Sequence, residues 1–365
     1  MQPVSTRNRV ILGFLPYAMM GVVALADALT GPEYGFLPLL SLGPAFASLS
    51  GGVKRALAIG GLAMVLCAGL AVYNDLLGTR QNTVTWGTLL GVTGASVVAT
   101  MGRQRREREL ANVRSIAEAA QRVLLKPVPR RAGHLRIAVS YTSAVTEALI
   151  GGDLYEVTAS PGGVRMIVGD VQGKGLEAVE TAALVLGAFR EAAPYEPDLR
   201  SVGVRLERAM NHRLTGEDFV TAILAEIRGD DLALLNYGHP APLVLRADGT
   251  SFFAEPEQAA PPLGLADLEP DPPKPYSLPF TSGDQLLLYT DGVIEARDPS
   301  GEFYPLEDRL AHLKADDPEQ ALYNLLSDLL DHLDGPIQDD TAMLLVRCKT
   351  HLEGLDAQDG PAETR

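Results

Sequence analysis

Along the first hundred residues, apolar positions run without interruption by Lys or Arg in four stretches, 10–29, 34–53, 56–74 and 81–102. Each is about 20 residues, the length a helix needs to cross the hydrocarbon core of a bilayer. Pro38 and Pro44 break the second stretch, an interruption that membrane helices tolerate. Basic residues set an orientation: Arg7 and Arg9 precede the first stretch, Lys54 and Arg55 separate the second from the third, and RQRRER follows the fourth. Only Arg80 falls on the other side, so both ends of this region are predicted to be cytoplasmic. The ALAD at 24–27 resembles a signal-peptide cleavage site, and removal of that span would leave the same cytoplasmic C-terminal part. Asp27 is an acid inside the first stretch, close to its outer end. The loops between stretches are too short to form an external sensor domain.

From 103 to 125 the pattern changes to a glycine- and proline-free helix, stopped by KPVPR at 126–130. Leu110, Val113, Ala117, Ala120 and Leu124 follow the spacing of a coiled-coil seam. Two readings fit it: a weak homodimer through this linker helix, or an amphipathic helix packed on its own domain. Beyond it, period-2 and continuous apolar runs predict strands at 135–142, 151–159, 163–171, 219–227, 232–238, 242–247 and 284–290, with DTAMLLVR as the last. Helices are predicted at 175–193, 198–213, 305–314 and 318–333. Runs of strands broken by helix pairs predict an α+β fold, sheet packed on sheet with helices outside. The domain expectation is 1–102 membrane, 103–126 linker helix, 127–350 globular domain and 351–365 a disordered acidic tail.

Charge sharpens the division. Residues 1–109 hold nine Lys/Arg against five Asp/Glu, a balance of +4, which leaves 22 against 41, or −19, for the rest of the chain. So acidic a domain lacks the basic footprint that nucleic acid requires. Cys67 and Cys348 are the only cysteines, which gives no disulfide framework and suits a reducing compartment.

Candidate chemistry lies at strand ends. If Pro161 and Gly162 form the turn of SPGG, residues whose numbers sum to 323 face one another, and Asp153 and Asp170 do so. Directly opposed carboxylates repel, and a divalent cation would offset the repulsion. A slip of one residue would place the two on opposite faces. Asp291 ends the apolar QLLLYT, and Asp339 and Asp340 open the final strand. Carboxylate oxygens without His or Cys suit magnesium or manganese. GDVQGKG is not a Walker loop, because Gly175 follows Lys174 where Ser or Thr is required. His239, in YGHPAP, is a candidate general acid or a turn residue, and Lys174 a candidate phosphate contact.

Together IGGDLYEV, VGDVQGKGLEA, LLLYTDGVIEARD and QDDTAMLLVR, in that order, with NYGHPAPLVL and PPLGL between them, resemble the metal-dependent type 2C (PPM-type) protein serine/threonine phosphatases. The similarity is to the bacterial branch typified by stage II sporulation protein E, and it covers roughly 120–348. It implies a four-layer αββα sandwich and a pair of manganese or magnesium ions held by Asp153, Asp170, Asp291 and Asp339, with help from the backbone carbonyl of Val171. Glu156 stands where the family usually has Asp, and no counterpart of the phosphate-binding arginine of eukaryotic members can be placed. The implied activity is hydrolysis of phosphoserine or phosphothreonine on a cytosolic regulator of the anti-anti-sigma type, by a multi-pass protein of the cell membrane. The rival is a catalytically silent membrane-tethered scaffold that binds such a regulator.

Overall fold

The structure is a computed structural model that describes residues 6–31, 35–143, 151–160, 162–211, 218–258, 260–266, 273–337 and 339–348. The acidic tail and Pro161 lie outside the described residues. The chain divides into two compact units, Met1–Asn112 and Val113–Arg365.

The first unit is helical. It contains α1 (Thr6–Thr30), a 3-10 turn (Leu37–Ser41) leading into α2 (Leu42–Ser50), α3 (Val53–Tyr73) and the first part of α4 (Arg80–Leu124). Three of these helices are long and apolar enough to cross a membrane, and the apolar helix at Leu37–Ser48 is shorter. The expected second span is therefore not one full-length helix but a shorter, broken segment. Pro38 lies in the 3-10 turn, and five residues at 3-10 rise plus nine at α rise reach only about 23 Å. The short segment nevertheless returns the chain to the starting end of the unit. Arg55 donates to the Gly13 carbonyl, and Arg103 donates to the carbonyls of Ser48 (2.5 Å) and Gly51 (2.9 Å). Asp27, fourteen residues beyond Gly13 on α1 and so about 21 Å away, accepts from Asn74 Nδ2 at 2.9 Å. The basic residues that set the orientation thus share one end, and the pair of buried Asp27 with Asn74 marks the other.

The second unit has two antiparallel sheets. One joins β1 (Arg131–Ala132), β2 (Leu135–Thr142), β7 (Leu243–Leu245), β8 (Ser251–Phe253), β10 (Gln285–Tyr289) and β11 (Thr341–Cys348) in the order β1-β2-β11-β10-β7-β8. The other joins β3 (Leu154–Ser160), β4 (Gly163–Val171), β5 (Val220–Arg228), β6 (Asp231–Tyr237) and β9 (Tyr276–Pro279) in sequence order. On the outer faces lie α5 (Leu176–Ala192) and α6 (Leu199–Asn211) on one side. The short α7 (Asp291–Ile294), a 3-10 helix (Leu306–Lys314) and α8 (Pro318–Leu333) belong to the other.

Both faces of the central strands are covered, which is why they read as unbroken apolar runs. Met166 and Val168 enter the core between the sheets with Leu286, Leu288, Leu344 and Val346. The alternate residue Ile167 packs under α5 and α6, and Leu287, Tyr289 and Leu345 pack under α8. Arg165 is the buried exception on β4. It pairs with Glu226 at 2.5 Å and donates to the carbonyls of Ala193 and Glu196, so its charge is satisfied while it fixes the C-terminal end of α5.

The last turns of α4 answer the question of the seam. Ala117 is buried against Val179 of α5, with Ala120 and Leu124 alongside, while Leu110 and Val113 are exposed. Three of the five seam positions therefore pack on the chain's own domain and are not free for a second copy. Periodicity alone could not separate the two, because both bury the same helix face.

Candidate functional site

The site forms where the inner faces of the two sheets run out of apolar residues. The β3–β4 register pairs Leu154 with Gly169 and Ser160 with Gly163, so the sum of 323 holds and Asp153 and Asp170 follow at the end of the ladder. Both continue the inward row of Tyr155, Val157, Met166 and Val168. On the facing sheet the inward row of Leu286 and Leu288 ends in Thr290, and that of Ala342, Leu344 and Val346 begins at Asp340.

Thr290, which sequence reasoning passed over, ties the sheets together. Its hydroxyl donates to Asp153 Oδ2 at 2.8 Å and accepts the Ala342 N–H at 2.9 Å. Asp291 follows in the first turn of α7. Gly292 sits so close to β11 that a Cβ would lie 2.0 Å from the Asp340 carbonyl oxygen, and one on Gly152 would lie 2.6 Å from the Val171 carbonyl oxygen. The glycines beside these acids therefore serve close backbone approach.

Electrostatics shows how near the acids are to one another. Burial, then the Asp170 charge, drives Asp153 well above the carboxylate range, against the opposing Thr290 hydrogen bond. Asp170 is pushed up to about 7 by burial, then by Asp291 and Asp339, with an Asp153 hydrogen bond working the other way. Asp291 is raised by burial, then by Glu295 and Asp339, while the Gly292 N–H and Lys174 oppose the rise. Asp339 is exposed and accepts from Lys174 Nζ at 2.7 Å. Burial works to lower Lys174, but Asp339, Asp340 and Asp170 outweigh it and raise the ammonium.

The structure thus brings Asp153, Asp170 and Asp291 into one field, with Val171 beside Gly152, and places Asp339 at its rim. Among the described residues, no three Asp, Glu, His or Cys side chains close on a common point at metal-ligand distance; Asp339 is turned to Lys174. The donor chemistry nonetheless fits a hard divalent cation: oxygen ligands only, and buried negative charge that needs a proton or a cation to offset it. Two clefts flank the acids, one of about 260 Å³ beside Asp291, Arg297 and Asp339, the other of about 450 Å³ beside Gln172, Lys174 and Glu177.

His239 is buried away from solvent. Its Nδ1 lies 3.1 Å from Thr221 Oγ1 and its Nε2 lies 3.0 Å from the Tyr289 carbonyl. The carbonyl only accepts, which assigns the ring proton to Nε2. Burial lowers the imidazole to about 3, and Asn236 hydrogen-bonds both its N–H and its C=O. His239 shapes a turn and supplies no proton. Glu156 points to α5, where it accepts from Arg190 Nε at 2.5 Å, and Arg190 also donates to the Leu124 carbonyl that ends α4. Its longer arm spans from β3 to α5, away from the acids.

Three comparisons bear on this arrangement. The family described as Stage II sporulation protein E (SpoIIE) matches residues 160–349, a segment that includes Asp170, Val171, Asp291 and Asp339 and begins after Asp153. Protein IcfG of Synechocystis is 25% identical over 237 residues, 54% of this chain and 36% of that protein; the match spans about a third of the relative. Among solved structures, the RsbU and RsbW domains of Rv1364c from Mycobacterium tuberculosis are 25% identical with a TM-score of 0.51, over 59% of this chain and 61% of theirs. The SiaA-PP2C domain of Pseudomonas aeruginosa, at 19% identity and a TM-score of 0.56, covers 66% of this chain and 98% of its own, a likeness of fold.

Proposed function

Because this chain belongs to the stage II sporulation protein E family, we propose that it is a membrane-anchored protein serine/threonine phosphatase. Its substrate is a phosphorylated cytosolic regulator of the anti-anti-sigma type, a reading to which the similarity with a chain carrying RsbU and RsbW domains lends support. The observation that carries the proposal is the convergence of acids from both sheets at the open end of the sandwich, close enough to hold Asp170 near neutrality. Asp153, Asp170, Asp291 and Asp339, with the Val171 carbonyl, would hold two manganese or magnesium ions. Such ions supply a deprotonated water and neutralise charge on a phosphoryl group.

The chain's own residues do the rest. Thr290 fixes the orientation of Asp153 from the opposite sheet. Lys174 presents an ammonium at the rim, where a phosphate dianion would enter. His239 is neutral with both ring nitrogens committed, so the leaving alkoxide takes its proton from another group. On this reading the domain lies on the same side as the basic residues, by the positive-inside rule.

The second reading, a silent scaffold, rests on one observation: Lys174 already occupies Asp339. Full-length protein in detergent micelles, given phosphoserine, phosphothreonine and phosphotyrosine peptides with manganese or magnesium, separates the two. Phosphate release from the first two, absent in Asp170→Asn, supports the enzyme; no release with either metal from folded protein supports the scaffold.

A further inference from the structure

A closed ring of hydrogen bonds joins the end of α4 to the acids. Gln121, buried on α4 within the second unit, donates through Nε2 to the Tyr141 hydroxyl oxygen at 2.8 Å and to the Gly151 carbonyl at 3.2 Å. Tyr141 at the end of β2 donates its own O–H to Asp340 Oδ2 at 2.6 Å. The Gly151 N–H donates to the same Oδ2 at 3.1 Å, and Ser143 Oγ to Oδ1 at 3.2 Å. Gln121, Tyr141, Asp340 and Gly151 therefore close on one another, and the ring lies one residue from Asp339 and two from Asp153.

The ring has one consistent set of donors. Burial, then the Asp340 charge, raises the Tyr141 hydroxyl far above its ordinary range, so it stays protonated and its single hydrogen is committed to Asp340. What remains on the Tyr141 oxygen is lone pairs, and the Gly151 carbonyl only accepts. Both face the same side-chain nitrogen, which carries two hydrogens; the amide oxygen in that place would meet two acceptors. Gly151 leaves no slack either, since a Cβ there would lie 2.3 Å from Asp340 Oδ2. Moving the Gln121 amide must shift Tyr141 or Gly151, and each of these holds Asp340 and the glycine pair that leads into Asp153.

We propose that Gln121 is a positioning residue for the metal-ligating carboxylates, which makes the last turns of the linker helix a structural part of the active site. The proposal rests on the phosphatase reading for its importance, but not for its test. Outer-shell hydrogen bonds of this kind change metal affinity by about 10- to 100-fold when removed. Packing alone would be preserved by Gln121→Met, which keeps the length and removes both donors.

The test is manganese binding, read by electron paramagnetic resonance of free ion, to full-length protein in micelles. Wild type, Gln121→Met, Tyr141→Phe, the double variant and Val123→Ala on the exposed face are compared, with melting in chelator as a check on folding. Gln121→Met and Tyr141→Phe should each weaken binding by about tenfold, the double variant no more than the worse single one, and Val123→Ala not at all. Gln121→Glu, which places acceptors against the same two acceptors, should be at least as impaired and gives a second route if Gln121→Met does not fold. Binding within twofold of wild type in a folded Gln121→Met protein would overturn the proposal. So would losses that multiply in the double variant, which would make the two residues independent. If wild type binds manganese and the pattern holds but no phosphoprotein is hydrolysed, the positioning role stands and the phosphatase reading fails.

Discussion

Replacing Asp170 with Asn should stabilise the metal-free protein, and the size of the effect depends on pH. In the folded chain the Asp170 carboxyl is pushed from 3.8 to about 7 by burial and by Asp291 and Asp339. An acid whose folded pKa is raised contributes stability in its protonated form, fully present below about pH 4 and lost as pH rises through about 7. A rise of about three units corresponds to roughly 4 kcal/mol of repulsion and desolvation in the charged form at pH 8. Asparagine mimics the neutral acid and removes that cost. For a unit of this size each kcal/mol moves the melting midpoint by roughly 2–4 °C. Exposed Asp339 can move away from the remaining charge, so the expected gain at pH 8 in chelator is at least about 4 °C. At pH 5 the folded carboxyl is protonated but the unfolded one is still ionised, so the gap should shrink to roughly 1.6 kcal/mol, and it closes only below about pH 4. Circular dichroism melts of both full-length proteins in micelles with chelator, from pH 5 to 8.5, measure the difference. Equal midpoints at pH 8, or a gap that does not change with pH, would refute the repulsion on which the metal assignment depends.

Further outcomes follow from particular contacts. Lys174→Met should raise apparent manganese affinity several-fold by releasing Asp339, while kcat/KM on a phosphopeptide falls by about tenfold; a metal titration followed by initial rates checks both. Gly292→Ala forces a Cβ against a backbone oxygen 2.0 Å away and should cost about 3 kcal/mol or more, read as a fall in melting midpoint. Ala117→Leu should overpack the contact with Val179 and destabilise the domain by about 1–3 kcal/mol, whereas tighter self-association in micelles without destabilisation would restore the dimer seam. Reporters fused after residues 53 and 101 should score cytoplasmic and one near 81 external; an external signal after 101 would contradict the topology.

Much of the sandwich was legible because its strands obey simple rules. The SPGG turn and a period of two were enough to place Asp153 beyond Leu154 and Asp170 beyond Gly169, and the ladder has that register. Unbroken runs such as QLLLY correctly implied strands covered on both faces. The misses have physical causes. Pro38 and Pro44 do not change hydropathy, so a short, broken helical segment looked like one full-length helix. The strands β8 and β9 carry three and four residues with exposed positions, too little for a pattern. Charge drew attention to the acids, but Thr290, Tyr141 and Gln121 are neutral and gave no such signal. Strand parity could have found Thr290, since it falls on the inward row where apolar residues stop. Nothing in the sequence could have joined Gln121 to Tyr141, because that contact depends on which face of α4 meets the domain.

The most direct test of the account is the initial rate of phosphate release from a phosphoserine-bearing protein by the full-length chain, titrated with manganese, beside Asp153→Asn. The account predicts a saturable rise with manganese in wild type, abolished by chelator, and a loss of at least about 100-fold in Asp153→Asn. Asp153→Asn should remain folded, since Asn still accepts from Thr290. A wild-type rate that ignores manganese and magnesium, or an Asp153→Asn rate equal to it at saturating metal, would contradict the assignment of these acids as the metal-holding centre.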